Sequence, residues 1–528
     1  MSKGLILQNG RIYTMNPEQP LAEAVVLRGT RIAHVGTTAE MKIWVGHGGW
    51  EVVDLAGRTV LPGLTDAHIH LSGYARVRVR VNLSGVRTLE EALARVAEWA
   101  KRTPPGQWIE GHGWNHYLWG GVWPTRQHLD AVAPEHPVAL QRVDGHSVWC
   151  NSLALQLAGV DGETHSPLGG EIVKDEEGRP TGILKETAGS LVLERIGRPS
   201  PEERLRLLDE AFKEAHSLGI TGVHVPEEAE AFGDYQTLYA RRALRLRVLA
   251  HLPQNRLDEA ISLGIRSGFG DERLRIGALK IFADGSLGSK TASLLQDYED
   301  EPGFRGLPTL PVRELDNLVM KAAEAGISVA VHAIGDRAVR LVLDTIARAE
   351  RKVGRPNFPH RIEHAQLLHP QDLPRFQELG VVASMQPIHA PSDMPVARRL
   401  WGERCRYAYA WRSVLDHGAV LAFGSDAPVE PMDPWAGIHA AVTRQRPDGT
   451  PPGGWYPEQR ISVEEAVRAY TWGAAFAAGE THLKGSIEEG KVSDVIVLDR
   501  DIFEVPPEEI RDTKVEMTVL GGEIVYGG

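Results

Sequence analysis

Short apolar runs alternate with amphipathic helical stretches through the middle of the chain, and this rhythm constrains the fold more than any other feature. The spacing predicts strands near residues 60–64, 222–225, 245–252, 276–283, 328–332, 360–364, 381–385 and 420–424. It predicts helices over 203–217, 312–325, 338–352 and 463–477. Strands that alternate with helices in this way form parallel βα units. Eight such units are the content of an α/β chain closed as a (β/α)8 TIM barrel, which takes about 250 residues. The chain has 528 residues, so roughly half of it must build something else.

Both ends read differently. Near the N-terminus, Asn9-Gly10 and then Gly29 separate short β-prone runs, as in hairpins. The C-terminal runs 494–498, 515–520 and 523–526, with Gly521-Gly522 as a turn, repeat that style. Residues 1–58 together with 485–528 are therefore expected to form one small β-sandwich domain, with the barrel over 59–484. The stretch 74–201 is too long and too structured for a single crossover. It is expected to be an insertion after the first barrel strand, forming a lid or wall.

Composition narrows the function classes. Apolar residues make up 42% and charged residues 24%, as in ordinary globular proteins. A formal net charge of −12 argues against nucleic acid or an anionic membrane as the main partner. The two cysteines, Cys150 and Cys405, cannot make a disulfide framework or a thiolate zinc site. The first residues lack the charged-then-apolar pattern of a secretory signal, and no apolar run reaches 18 residues. The expectation is a cytoplasmic protein with a small-molecule substrate and no nucleic-acid or membrane partner. A homodimer is one arrangement left open.

The chemistry-bearing residues fall where barrels place active sites. His68 and His70 follow the first strand and would share a face in extended chain. With 21 histidines in the chain, about one such pair arises by chance, so the pair alone decides little. Lys280, His332, His364 and Asp426 each lie at the C-terminal end of a predicted strand, the end at which barrel sites are built. Nitrogen and carboxylate donors of this kind suit zinc or another divalent first-row metal.

These segments carry a resemblance. Leu61-Pro62-Gly63-Leu64-Thr65-Asp66-Ala67-His68-Ile69-His70, Lys280-Ile281-Phe282-Ala283-Asp284-Gly285-Ser286, Val331-His332-Ala333-Ile334-Gly335-Asp336, Arg361-Ile362-Glu363-His364-Ala365-Gln366 and Phe423-Gly424-Ser425-Asp426-Ala427-Pro428 resemble the amidohydrolase superfamily. The similarity is to its YtcJ-like (amidohydrolase 3) branch, which includes N-substituted formamide deformylases. Asp144-Gly145-His146 and the stretch 485–494 add to it. The resemblance implies a barrel with a terminal β-sandwich, and hydrolysis of an amide or related C–N bond. It further implies that His68, His70 and Asp426 hold one metal ion and that His332 and His364 hold a second. Lys280 would bridge the two as a carbamate derived from carbon dioxide. Asp426 would also be the catalytic proton carrier.

Alternatives stay open beside this. Lys280 could instead pair with Asp284 or Asp426, or bind substrate, and Glu186 is the rival bridging carboxylate. His146, Arg142, His389 and Trp114 are candidates for substrate contact, though His146 reads equally well as a buried hydrogen-bonding histidine. The cluster of His112, Trp114, His116 and Trp119 reads equally as core or pocket. Glu363 and Asp336 read as carboxylates that orient imidazoles. Other readings of the whole are a deaminase or cyclic-amide hydrolase on the same barrel, or a degenerate site that only binds.

Overall fold

The computed structural model describes all residues except 1–3, 47–48, 144–145 and 198. The chain divides into two compact units, one built from Met1–Gly73 with Leu208–Gly528 and the other from Tyr74–Leu207.

The first unit holds an eight-stranded parallel sheet of β1 (Leu64–Asp66), β2 (Ile220–Val225), β3 (Arg247–Pro253), β4 (Leu274–Phe282), β5 (Val329–Ala333), β6 (Arg361–His364), β7 (Val382–Met385) and β8 (Leu421–Phe423). Neighbours in sequence are neighbours in the sheet throughout. The ring closes where the Ala67 N–H donates to the Phe423 carbonyl at 2.9 Å. This is the (β/α)8 barrel that the alternating rhythm implies. The helices Val312–Glu324 and Asp336–Val353 bury Leu315, Val319 and Ala322, and Val339, Val342, Leu343 and Ile346. Those positions recur at three- and four-residue intervals, which is the stripe a helix needs to lie on a sheet. The stretch expected as one helix over 463–477 contains a π-helical turn at Ala469–Gly473. There Gly473 lies against β8, and a Cβ on it would fall 2.0 Å from the Leu421 carbonyl oxygen.

A six-stranded sheet takes strands from both ends of the chain, in the order Glu523–Gly527, Val515–Leu520, Val495–Leu498, Thr59–Pro62, Arg11–Tyr13 and Leu21–Ala22. A four-stranded sheet of Arg31–Gly36, Ala24–Arg28, Gly4–Gln8 and Trp50–Asp54 shares a core with it, through Leu7, Ile12, Val25, Val60, Val497 and Val519. The first barrel strand differs from its expected place. Residues 59–62 belong to the six-stranded sheet, paired with Val495–Leu498, and the barrel begins at Leu64. Gly63 makes the step, with its N–H donated to the Asp494 carbonyl at 3.0 Å. Both segments are buried, so hydrophobicity offers no break between them.

The second unit has a six-stranded sheet of its own, in the order Gly170–Lys174, Pro180–Glu186, Ser147–Cys150, Val138–Arg142, Ile109–Trp114 and Val81–Asn82. The helix Leu89–Arg102 starts at Thr88, whose side chain accepts from the Glu91 N–H at 3.1 Å. Val81, Ile109, Trp114, Leu129, Leu140 and Trp149 form the unit's core.

Candidate metal centre

The C-terminal ends of β1 and β8 are tied together by one carboxylate. Asp66 accepts the His68 N–H at 3.1 Å, the Ser425 N–H at 3.0 Å and the Ser425 hydroxyl at 2.6 Å. The Asp426 N–H in turn donates to the His68 carbonyl at 2.7 Å. Gly424 allows this approach, since a Cβ there would fall 2.4 Å from the His68 nitrogen. Asp426 has φ +58° and His364 has φ +73°, left-handed conformations that non-glycine residues rarely adopt. The chain turns sharply at both positions as it leaves its strand.

Second ring atoms fix the histidine lone pairs. His68 Nδ1 lies 2.5 Å from Glu363 Oε2; a carboxylate only accepts, so Nδ1 carries the proton and Nε2 presents a lone pair. His332 Nε2 donates to the Gly285 carbonyl at 2.9 Å, which leaves Nδ1 as its lone-pair atom. His364 Nδ1 donates to Gln386 Oε1 at 2.7 Å, leaving Nε2. His68 Nε2 and His70 Nε2 lie 3.6 and 3.3 Å from Asp426 Oδ1. Among the described residues, donor atoms of His68, His70 and Asp426 all fall within 4.8 Å of one another, as a shared metal ion would require. His364 joins this group to His332, with ring centroids 5.0 Å from His68 and 4.5 Å from His332.

The floor beneath is a buried ion network. Arg361 and Glu363 are both fully buried and paired at 2.5 Å. Arg361 also donates to the Ala67 carbonyl, to Ser384 Oγ at 2.6 Å and to His224 Nδ1 at 2.9 Å. Burial alone would push the Glu363 carboxyl up, but Arg361 and His68 hold it well below the usual carboxylate range. Burial pushes the Lys280 ammonium down to about 8, against the pull of Glu363 and Asp426. Asp426 lies below its ordinary range: the histidines around it, with His70 in contact, outweigh the upward push of burial. His389 opens the helix His389–Trp401, and its buried Nε2 lies 3.9 Å from Asp426 Oδ2 without a hydrogen-bond partner.

The structure thus gathers His68, His70, Lys280, His332, His364, His389 and Asp426 in the barrel unit. The pair His68 and His70 lies just beyond the hydrogen-bonded strand, which ends at Asp66, yet both rings still turn toward Asp426. Asp336 does not orient an imidazole; its carboxylate accepts the Leu295 N–H at 2.9 Å. Asp284 instead lies 3.8 Å from His332, accepting the backbone N–H groups of Ser293, Ile334 and Gly335. Burial pushes its carboxyl up to about 7.

The remaining candidates lie in the second unit. Trp114 is fully buried and donates to the Leu140 carbonyl at 2.7 Å. Arg142 donates to His116 Nδ1 at 3.4 Å, and Glu186 meets His146 at 3.0 Å. All four of these last residues line a cleft of about 490 Å³ with Trp123 and Lys185. In the motif Asp144-Gly145-His146, the first two residues lie outside the described residues. The reading of sequence gave no role to Arg361, Gln386 or Asp66; Gln386 is 22 positions from His364, which it holds. Arg361 and Asp66 were visible only as parts of motifs, two residues before Glu363 and His68.

Residues 51–526 match the model of the amidohydrolase family. The chain belongs to this family. Among amidohydrolase relatives, it is 34% identical to the putative amidohydrolase YtcJ of Bacillus subtilis over 99% of each chain. It is 31% identical to an N-substituted formamide deformylase of Arthrobacter pascens, covering 99% of this chain and 98% of that one. A solved metal-dependent hydrolase from Pyrococcus furiosus superposes with a TM-score of 0.77 at 32% identity, covering 95% of this chain and all of that one. The chain is accordingly a metal-dependent hydrolase of the amidohydrolase type.

Proposed function

We propose that the protein hydrolyses the C–N bond of an N-acyl or N-formyl amide, with His68, His70 and Asp426 holding one divalent ion, zinc foremost. His332 Nδ1 and His364 Nε2 would hold a second ion, and Lys280 would bridge as a carbamate. The observation that carries the reading is the convergence of His68 Nε2 and His70 Nε2 on one oxygen of Asp426. A relative named as an N-substituted formamide deformylase supports the amide class. Burial that lowers Lys280 to about 8 supports the carbamate, because it raises the fraction of free amine, the form that adds carbon dioxide.

When bound, the metal supplies Lewis acidity toward the carbonyl and lowers the pKa of water. The protein's own residues do the rest. Asp426, held below its ordinary range, is an unprotonated base at neutral pH and receives a proton from water on its carboxylate. The oxygen of that water adds to the carbonyl carbon, and Asp426 then delivers the proton to the leaving nitrogen as the C–N bond breaks, giving a carboxylic acid and an amine. The unpartnered His389 Nε2 beside Asp426 is placed to hydrogen-bond that nitrogen. Glu363, clamped by Arg361, keeps His68 in the tautomer that offers Nε2.

Metal analysis and a panel of amides test this. Purified protein should carry one to two equivalents of a divalent first-row metal, and chelation should abolish amide hydrolysis, with activity returning on zinc. His68→Ala should lose both metal and rate. Full amide hydrolysis in metal-free protein would refute the reading. Turnover confined to amidines or cyclic amides would move the chain to the deaminase or cyclic-amide class.

A further inference from the structure

The aromatic side chain at the lip of β4 has no part in holding a metal or moving a proton. Phe282 follows Lys280 by two residues on one strand, so both side chains point to the same face, the barrel interior. The contacts agree: Lys280 Nζ lies 4.9 Å over the Phe282 ring, and that ring is 5.3 Å from the His332 ring. Its backbone is fixed by pairing opposite His332 and by the Thr309 hydroxyl, which donates to the Phe282 carbonyl at 2.5 Å. Yet the residue remains 44% exposed. A phenyl ring on a paired strand, set against Lys280 and His332 and left half exposed, is a surface that awaits an apolar group.

The barrel's order says which part of the substrate would meet it. In a closed ring of eight strands taken in sequence, β4 stands opposite β8. The proton carrier Asp426 follows β8, and His389 lies beside it. The leaving nitrogen must approach Asp426 to be protonated, so the amine side of the scissile bond lies toward β8. The acyl substituent, on the other side of the carbonyl carbon, then extends toward β4 and Phe282. We propose that Phe282 is the specificity-determining wall of the acyl subsite, and that the substrates are amides with an apolar acyl group, such as arylacetyl or alkanoyl, rather than formamides. A formyl group carries only hydrogen there and would leave the ring in water. This inference rests on the amide reading and on Asp426 as proton carrier.

The test compares the N-formyl, N-acetyl and N-phenylacetyl amides of benzylamine with wild-type protein, Phe282→Ala and Phe282→Leu, all zinc-loaded. Wild-type kcat/KM should rise from formyl to phenylacetyl. Phe282→Ala should lower the phenylacetyl-to-formyl ratio by about 10–100-fold, the scale of an apolar pocket contact, and Phe282→Leu should retain most of it. Calorimetric titration with phenylacetate, one product, should show binding at least about tenfold weaker in Phe282→Ala. An equal loss on all three amides would overturn the proposal. So would a loss that instead tracked the amine in a series of formamides, because the ring would then meet the leaving group. If no amide were turned over while phenylacetate binding still depended on Phe282, the amide reading would fall and the apolar subsite would stand. Phenylacetate binding indifferent to Phe282 would sink the subsite itself.

Discussion

Asp426 is proposed as both ligand and base, and its surroundings decide which role a substitution exposes. Its carboxylate faces two imidazole nitrogens on one oxygen and His389 on the other. Asp426→Asn preserves shape and one potential ligand oxygen but removes the basic lone pair. The expected outcome is turnover lowered about 10²–10⁴-fold with metal content largely retained, read by kinetics beside elemental analysis. Loss of metal in step with rate would make the residue chiefly a ligand. At this scale the sequence was legible where chemistry repeats with the strands: His332, His364 and Asp426 each sit at a strand end and meet in space. It was not legible where the partner is distant in sequence and ordinary in type. Nothing about Gln386 or Ser384 marks them as the groups that orient His364 and Arg361. Asp336 misled for the opposite reason, because an acid three residues beyond Ala333 looks like an imidazole's partner until its carboxylate is seen on the Leu295 N–H.

Among the elements, β8 and the segment after β1 approach each other most closely. Their contact depends on a missing side chain: at Gly424 a Cβ would meet the His68 nitrogen at 2.4 Å and Asp66 Oδ1 at 2.7 Å. Both obstacles belong to the hydrogen-bonded knot, and neither is the free end of a flexible chain. Gly424→Ala should therefore cost about 1–3 kcal/mol of stability by overpacking and displace His68 from Asp426. Denaturant unfolding and metal occupancy measure the two effects. An alanine variant with wild-type stability and full metal would show that the knot can give way. Strand positions were legible for seven of the barrel strands because a run of buried residues flanked by helices has no rival reading. The first strand slipped because two buried strands meet at Gly63 without a polar residue between them. The helix at 463–477 was read as continuous because a π-helical turn leaves the apolar pattern intact and only shifts its phase.

Across the whole barrel unit, one buried ion pair couples the terminal sheets to the barrel. Arg247, opening β3, meets Asp494 at 2.5 Å with both side chains about 5% exposed, and the Gly521 N–H donates to the same carboxylate at 2.8 Å. Burial would push the Asp494 carboxyl up, but Arg247 and the Gly521 N–H more than offset this and hold it below the ordinary value of 3.8. A carboxyl depressed in the folded state contributes stability that is fully present above its unfolded pKa. That contribution disappears as pH falls through the folded value. The stability this pair supplies should therefore be lost only as pH falls below the ordinary carboxylate value, and the slope of stability against pH in that range should be shallower in Asp494→Asn. That variant leaves the buried Arg247 with only the more distant Glu272 carboxylate, at 3.8 Å, so it should lose about 3–5 kcal/mol at neutral pH. Thermal melts across a pH series check both the sign and the size. A variant as stable as wild type at pH 7 would show that the pair adds nothing to folding.

The step at Gly63 also has a consequence for how the molecule is made. The strand Thr59–Pro62 leads through Gly63 into the segment that carries His68 and His70, and its partner strand Val495–Leu498 is synthesised about 430 residues later. At about 5–20 residues per second, the interval between the two is on the order of tens of seconds. During that time the histidine-bearing segment has left the ribosome while Asp426 and the strand that anchors it have not. A nascent chain therefore cannot assemble the three-donor set until Asp426 has left the ribosome. By the path of the chain itself, a metal shared by these three side chains would be bound only after β8 has formed.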